Sequence, residues 1–303
     1  MLTLEKLAEI SPERACLIAT ASVRGRASGL AFPLADDFSA LTAELETLIV
    51  VGGGTLIDRA KIWRAEHAPA TRLIAIPSVW GSGAEVSPVA VANQNGAKEI
   101  HIGERYVPDD WCVWPELAES LPESLARYAC GDSWAHALEG FLSPLADEPL
   151  REELAALIRE LQGLPIANDP RWFEASARAC AGQARSSVGL VHGIAHTLEG
   201  PLRAAYPDAG WGHARLCALF LWPVMAFNGV QGDKWQQLAA RHRLDGEAIF
   251  AILRELHEPE AYRLALPLLE SNWLNILRDP CTRTNSALVR PANRSFFTEC
   301  QFR

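Results

Sequence analysis

The chain has no C-x-x-C pair: its seven cysteines, Cys16, Cys112, Cys130, Cys180, Cys217, Cys281 and Cys300, are odd in number and widely spaced. That distribution suits a reducing compartment better than a disulfide framework. It has no basic excess, because 28 Lys and Arg stand against 37 Asp and Glu for a net charge of −9, which argues against nucleic acid as a partner. Its longest apolar run, Leu216 to Phe227, is broken by Pro223 and falls short of the roughly 18–20 residues that span a bilayer, so no membrane partner is expected. The opening segment, residues 1–14, carries three acids and no apolar core; it does not read as an export signal, and the cytoplasm is the expected location. Internal repeats and low-complexity tracts are missing too. What remains is a globular chain of 303 residues, 49% hydrophobic and 21% charged. At roughly 100–200 residues per domain this suits two domains, each able to bury a core without a structural metal. A metal bound here would therefore be functional, and a small molecule is the expected partner. Where the chain assembles, a homodimer is expected.

Before about residue 120, short apolar runs alternate with helix-like or Gly-rich stretches: Ala15 to Thr20, Leu48 to Val51 and Arg72 to Pro77. Such runs, closed by Gly or Pro, read as buried parallel strands of an α/β layer. Val107 to Pro115 could supply one more. Beyond 120, segments such as Pro122 to Ala129, Glu152 to Leu161 and Lys234 to Ala240 have helical spacing and helix-start signals. The expectation is an α/β domain over 1–120 and an all-helical domain over 121–303, joined near Leu121-Pro122.

Two Gly-rich loops follow strands. The first, Gly52-Gly53-Gly54-Thr55 leading to Asp58 and Lys61, runs from an apolar strand into a helix start. Glycines there let backbone N–H groups approach a phosphate at the positive end of the helix. It lacks the G-x-G-x-x-G fingerprint, so a tight strand-to-helix turn explains it equally well. The second, Pro77 to Ser87, combines small residues with the hydroxyls of Ser78 and Ser82 and also contains Val79 and Trp80. Two such loops at the ends of neighbouring parallel strands make the stronger case, since ligands of open α/β sheets bind outside the carboxyl ends of the strands. Of the ten tryptophans, Trp80 alone sits inside such a loop and is the one not read as core.

In the second half, Asp132 and His136 stand four apart and project from one helix face. A D-x-x-x-H pair alone is weak, and is more often a helix N-terminal Asp with a packed His. His192 and His196 form a second i, i+4 pair in an apolar stretch, and a Gly-flanked loop delivers His213 to the start of the apolar helix 214–228. Four histidines and an aspartate in apolar helices point to a metal. One carboxylate with two or three imidazoles suits Fe(II) or Zn(II) and not Ca(II).

These segments, in this order, resemble the iron-containing (group III) alcohol dehydrogenase family, whose wider superfamily includes glycerol dehydrogenase and dehydroquinate synthase. Gly52 to Lys61 is similar to its GGGS-x-x-D-x-AK loop, and Pro77 to Ser87 to PTTAGTGSEVT. Asp132 to Glu139 resembles its D-A-L-x-H-A-x-E helix, Val191 to His196 its VHAMAH segment, and Gly212 to Asn228 its PHG helix. The resemblance implies a nucleotide-binding α/β domain and a helical domain of the dehydroquinate synthase-like fold. It implies a metal, Fe(2+) or Zn(2+), on Asp132, His136, His192 and His213, with His196 close to the nicotinamide of NAD or NADP. An imidazole, which exchanges protons nearest neutral pH, suits a relay there. Gly52, Gly53, Gly54, Thr55, Asp58, Ser78, Val79 and Ser82 would line the nucleotide, and Lys98 matches a family lysine near it.

The implied function is a metal-dependent NAD(P) alcohol dehydrogenase or aldehyde reductase acting on a small alcohol or aldehyde. The alternatives are a metal-binding homologue that has lost turnover, and a superfamily member with a cyclase or lyase type of reaction. Related maleylacetate reductases lack the metal ligands, whereas all four are present here. Family members carry more chain before the GGG loop, including a second strand that meets the adenosine ribose. Here about fifty residues precede it, and Leu30-Ala31-Phe32 is the best remnant of that strand. The expected consequence is weaker dinucleotide binding with blurred selectivity. Val79 and Trp80 further replace a Thr and a small residue of the second loop.

Overall fold

The computed structural model describes residues 1–94, 97–298 and 302, leaving out the side chains of 93, 94, 97 and 98. Two compact units emerge: Met1–Pro122 with Asn168–Ala177, and Glu123–Ala167 with Arg178–Arg303.

The first unit is built on β1 (Ala15–Ala19), β2 (Leu34–Ala35), β3 (Thr47–Gly52), β4 (Arg72–Pro77), β5 (Val89–Gln94), β6 (Ala97–Ile102) and β7 (Asp110–Trp111). Five strands form one sheet in the order β2-β1-β3-β4-β7, every pairing parallel. The apolar runs that predict strands are these strands, because a parallel sheet buried on both faces needs continuous apolar side chains. Leu48, Ile49, Val50 and Val51 in β3 and Leu73 to Ile76 in β4 are fully buried. Ile57 and Ala60 of the following helix complete the core with Leu48, Val50, Leu73 and Ala75. The antiparallel hairpin β5–β6 is not foreseen in the sequence.

The second strand corrects the reading of Leu30–Phe32. That segment is taken up by turns, Leu30 N–H donating to Ala27 and Phe32 N–H to Leu30. Pairing with β1 begins only where the Pro33 carbonyl accepts from Leu17 N–H at 2.8 Å. The strand proper is Leu34–Ala35, in register with Leu17 and Ile18. Proline has no N–H to give a ladder, so β2 starts after it.

The helices, in chain order, are α1 (Leu4–Ala8), α2 (Arg24–Ala27), α3 (Gly54–His67), α4 (Glu123–Leu142), α5 (Glu148–Leu161), α6 (Arg171–Ala184), α7 (Leu190–Ala205), α8 (His213–Gln231), α9 (Lys234–Arg241), α10 (Gly246–Leu256), α11 (Pro259–Arg278) and α12 (Arg294–Phe297). As the helical spacing predicts, the described residues from 123 onward form helices and short 3₁₀ turns and no strand. Every residue of α4 from Ala129 to Leu142 is buried, and α8 is buried at Leu216 to Leu221 and Val224, Met225, Phe227 and Asn228. A helix buried on all sides is a core helix rather than an amphipathic one. No helix among the described residues is long and apolar enough to cross a membrane.

Two buried charges in the first unit contrast. Lys61 Nζ, fully buried, donates to Asp58 Oδ1 at 3.2 Å and to the carbonyls of Ser87 at 3.1 Å and Val89 at 2.8 Å, the satisfaction a buried charge requires. Glu85 has an Oε1 with no hydrogen-bond partner among the described residues, and burial pushes its carboxyl up to about 7 from 4.5 against its own backbone N–H and the Lys61 charge. A carboxyl with a raised folded pKa contributes stability that is fully present below its unfolded value and is lost as the pH climbs through the folded one. We therefore expect Glu85→Gln to lose less stability than the wild type between about pH 5 and 8, by roughly 1–3 kcal/mol. Chemical denaturation at both pH values measures this, and equal losses in the two proteins would contradict it.

Candidate nucleotide and metal sites

In the first unit, chain order and sheet order diverge on either side of β1, with β2 on one flank and β3 on the other. That is the switch point at which open α/β sheets bind ligands, at the carboxyl ends of the strands. A cavity of about 290 Å³ opens there, lined by Ala19 and Thr20 after β1, Asp36 and Asp37 after β2, and Thr55 and Arg59 on α3. The sequence does not place Asp36 and Asp37 here; β2 does. Asp36 is held by Arg24 at 2.6 Å. Asp37 accepts from Ser39 N–H at 2.8 Å, and the Ser39 hydroxyl and N–H hold its carboxyl below the usual range.

The two Gly-rich loops meet beside this cavity. Ser78 N–H donates to the Gly52 carbonyl at 2.9 Å. A Cβ on Gly54 would lie 2.6 Å from Ser82 Oγ, and one on Gly53 would lie 3.3 Å from Val79 Cγ1, so a larger residue at Gly54 would force Ser82 to move and one at Gly53 would crowd Val79. Gly53 is the N-cap of α3 and has no side chain to cap it. The first-turn N–H groups are thus open to an anion, as phosphate-binding loops require. Asp58 serves the fold instead, since its Oδ2 accepts from Val91 N–H at 3.1 Å while Oδ1 accepts from Lys61, tying α3 to β5. Trp80 is not a stacking platform. It is buried, edge-on to Phe173 with ring centres 5.3 Å apart. Lys98 lies on β6, and its side chain is outside the described residues.

In the second unit, donor atoms of Asp132, His192, His213 and Cys217 all lie within 4.8 Å of one another. Asp132 comes from α4, His192 from α7, and His213 and Cys217 from the first turns of α8. The Nε2 atoms of His192 and His213 stand 3.7 and 3.9 Å from Asp132 Oδ1. His136 sits beside this group, its ring 4.7 Å from that of His192, but is not one of the four. Asp132 Oδ1 and His192 Nε2 are buried and have no hydrogen-bond partner among the described residues. Buried polar atoms are almost always satisfied, so two orphans aimed at each other, at a distance too long for a hydrogen bond, fit a cation between them. Burial also holds His192 down to about 3, reinforced by the His196 charge. The neutral imidazole that results is the form that ligates. His213 and His196 are the open side, with side chains 30% and 33% exposed.

Two features around the donors escape the sequence reading. Glu139 is buried with Oε2 2.7 Å from His192 Nδ1 and Oε1 accepting from Val191 N–H at 2.7 Å. Its carboxylate accepts a hydrogen bond from Nδ1–H and so leaves Nε2 free to ligate, the carboxylate–histidine arrangement of metal sites. Burial pushes Glu139 up to about 7, with backbone N–H groups of Gly189, Val191 and His192 opposing. Glu139 closes the Asp132–Glu139 motif of the resemblance, at i+3 from His136, but the motif alone assigns it no role. The other feature is Asp279, whose Oδ2 is 3.3 Å from His196 Nδ1. With Cys281, these form a second cluster of close donor atoms. Burial raises Asp279, but the hydrogen bond and charge of His196 outweigh it and bring the carboxyl below its usual value.

Residues 38–113 match the family model of iron-containing alcohol dehydrogenase. The chain is 30% identical to 1-propanol dehydrogenase PduQ of Salmonella typhimurium over 200 residues, covering 60% of this chain and 52% of that protein. It is 31% identical to maleylacetate reductase 2 of Cupriavidus pinatubonensis over 208 residues, or 63% and 53%. It thus spans about half the length of these curated relatives. Among solved structures it is similar in fold to an iron-containing alcohol dehydrogenase from Thermococcus thioreducens, at a TM-score of 0.72 and 19% identity over 97% of this chain and 95% of that one.

Two substitutions probe the cluster. Glu139→Gln removes the charge that fixes His192, and loss of a group that orients a ligand in this way costs roughly 10–100-fold in metal affinity; titration with Zn(II) against a competing chelator reads it, and unchanged affinity would remove Glu139 from the site. At Gly131 a Cβ would lie 2.3 Å from the Ala218 Cβ and 2.6 Å from its Cα. Gly131→Ala should therefore cost about 1–3 kcal/mol of stability by overpacking, together with metal affinity, because α4 and α8 must part. A variant as stable as the wild type would show that the crossing has slack.

Proposed function

We propose that this chain, which belongs to the iron-containing alcohol dehydrogenase family, is a metal-dependent oxidoreductase that interconverts a small alcohol and its aldehyde with a nicotinamide dinucleotide. The observation that carries this reading is the convergence of Asp132 and His192, both buried, with the half-buried His213, two orphaned ligand atoms facing one another; His136 is the fourth ligand implied by the family. Bound there, Fe(II) or Zn(II) would supply Lewis-acid polarisation of a substrate oxygen, and the nicotinamide would supply or take the hydride. The name of the propanol dehydrogenase relative supports a short primary alcohol as substrate class.

The chain's own residues have separable roles. The N–H groups at Gly54 and Thr55 bind the pyrophosphate at the start of α3, with the Ser78 and Ser82 hydroxyls alongside. Asp36 and Asp37 meet the adenosine ribose, and their charge disfavours a 2′-phosphate, so NAD is the preferred cofactor. Glu139 keeps the proton of His192 on Nδ1. Asp279 holds His196 through Nδ1, so that the Nε2 of His196 takes or gives the proton exchanged with the substrate oxygen. This NAD preference replaces the blurred selectivity expected from a missing second strand.

The test is NADH oxidation with short aldehydes by protein stripped of metal and reloaded with Fe(II) or Zn(II). Turnover should appear only with metal and be lost in His192→Ala. In parallel, quenching of the ten-tryptophan fluorescence should show NADH binding at least tenfold more tightly than NADPH, with Asp36→Ala and Asp37→Ala narrowing the gap. Equal affinities would remove the role given to the two aspartates. No binding of either nucleotide by folded, metal-loaded protein would remove the oxidoreductase reading itself.

A further inference from the structure

The donors that converge in the second unit are not the four that the family resemblance implies. Cys217 stands where His136 is expected: its Sγ is 3.5 Å from His213 Nε2, and it shares with Asp132, His192 and His213 the 4.8 Å sphere from which His136 is missing. Zinc bonds of about 2.0–2.3 Å to O, N and S correspond to tetrahedral edges of roughly 3.3–3.6 Å between donors. The measured separations of 3.5, 3.7 and 3.9 Å are already close to such edges. Two elements make this so. His213 and Cys217 are i, i+4 at the start of α8 and face the same way. The tight approach of Gly131 to Ala218 then sets their immediate chain neighbours, Asp132 and Cys217, side by side. The orphaned Asp132 Oδ1 and His192 Nε2 point independently to a cation in the same place.

We propose that Cys217 is a metal ligand of this chain, completing an Asp132, His192, His213 and Cys217 set, and that the thiolate gives the site a preference for Zn(II) over Fe(II). The inference rests on reading the cluster as a metal site. As the metal–sulfur bond forms, the S–H bond breaks and its proton passes to solvent; a coordinating thiol is deprotonated outright and no redox change is involved. His136 then acts as the neighbour stacked on His192 rather than as the fourth donor. A soft sulfur donor in a nitrogen and oxygen set is what favours zinc.

The experiment uses the full chain, stripped of metal and titrated with Co(II) as the spectroscopic probe. The wild type should take up one Co(II) per chain and show both visible ligand-field bands and a near-ultraviolet thiolate-to-Co(II) charge-transfer band. Cys217→Ser should lose the charge-transfer band, keep ligand-field bands and bind Co(II) at least tenfold more weakly. His136→Ala and Cys281→Ser should keep the charge-transfer band, and Zn(II) should displace Co(II) where Fe(II) does not. The wild-type spectrum needs no variant to fold. Stoichiometric Co(II) with ligand-field bands alone, or a charge-transfer band that survives in Cys217→Ser, overturns the role of Cys217 and leaves the metal site standing. No Co(II) uptake by folded protein overturns both.

Discussion

At Gly131, α4 and α8 cross with no room for a methyl group, since a Cβ there would stand 2.3 Å from that of Ala218. Glycine within a helix costs about 0.5–1 kcal/mol relative to alanine, and here that cost is offset by backbone contact between the buried stretches of two helices. The residues next to the crossing inherit its geometry. Asp132 follows Gly131 and Cys217 precedes Ala218, so the distance between the helices fixes the distance between a carboxylate and a thiol. The same device recurs where α7 joins. A Cβ on Gly189 would lie 2.8 Å from Glu139 Oε1, and one on Gly193 would lie 2.2 Å from Thr282 Oγ1. The first lets the α7 N-terminus reach the Glu139 carboxylate. The second seats the turn that carries Asp279 and Cys281 against His196.

Burial divides the polar groups into those already satisfied and those that are not. Lys61 has three oxygens and Glu139 has an imidazole and backbone N–H groups at a helix start, where the macrodipole also favours a negative charge. Both hold elements together and need nothing further. Asp132 is equally buried, yet its Oδ1 is left facing His192 Nε2 at 3.7 Å. The Cys217 thiol hydrogen-bonds this carboxyl, and the oxygen that stays without a partner among the described residues is the one that faces the imidazole.

The parts legible in the sequence are those with strong local signals. Buried parallel strands show as apolar runs, so β1, β3, β4 and the position of β7 can be read directly. Glycine loops and i, i+4 polar pairs in apolar helices mark the segments that carry Asp132, His192 and His213. What is not legible depends on contacts between distant segments. Cys217 reads as one more apolar position of a core helix until α4 lies against it. Asp279 and Cys281 stand over eighty residues from His196 and form no motif with it. The hairpin β5–β6 alternates too weakly to announce itself. Trp80 reads as available because its loop is rich in glycine, but Phe173, nearly a hundred residues on, fills the space in front of its ring.

The second strand shows how little chain a site can require. A contact at the carboxyl end of a strand needs the position of that end, not the length behind it. Two residues paired with Leu17 and Ile18 suffice, because they bring Asp36 level with Ala19, which pairs with Val51 one residue before the glycine loop. The Pro33 carbonyl adds the hydrogen bond that a longer strand would have supplied from its ladder. Beyond that end, Arg24 holds Asp36 and the Ser39 N–H and hydroxyl hold Asp37. Both carboxylates therefore stand exposed at the cavity rim, each fixed by a partner of its own. A strand of two residues can thus bring two carboxylates to the end of the sheet.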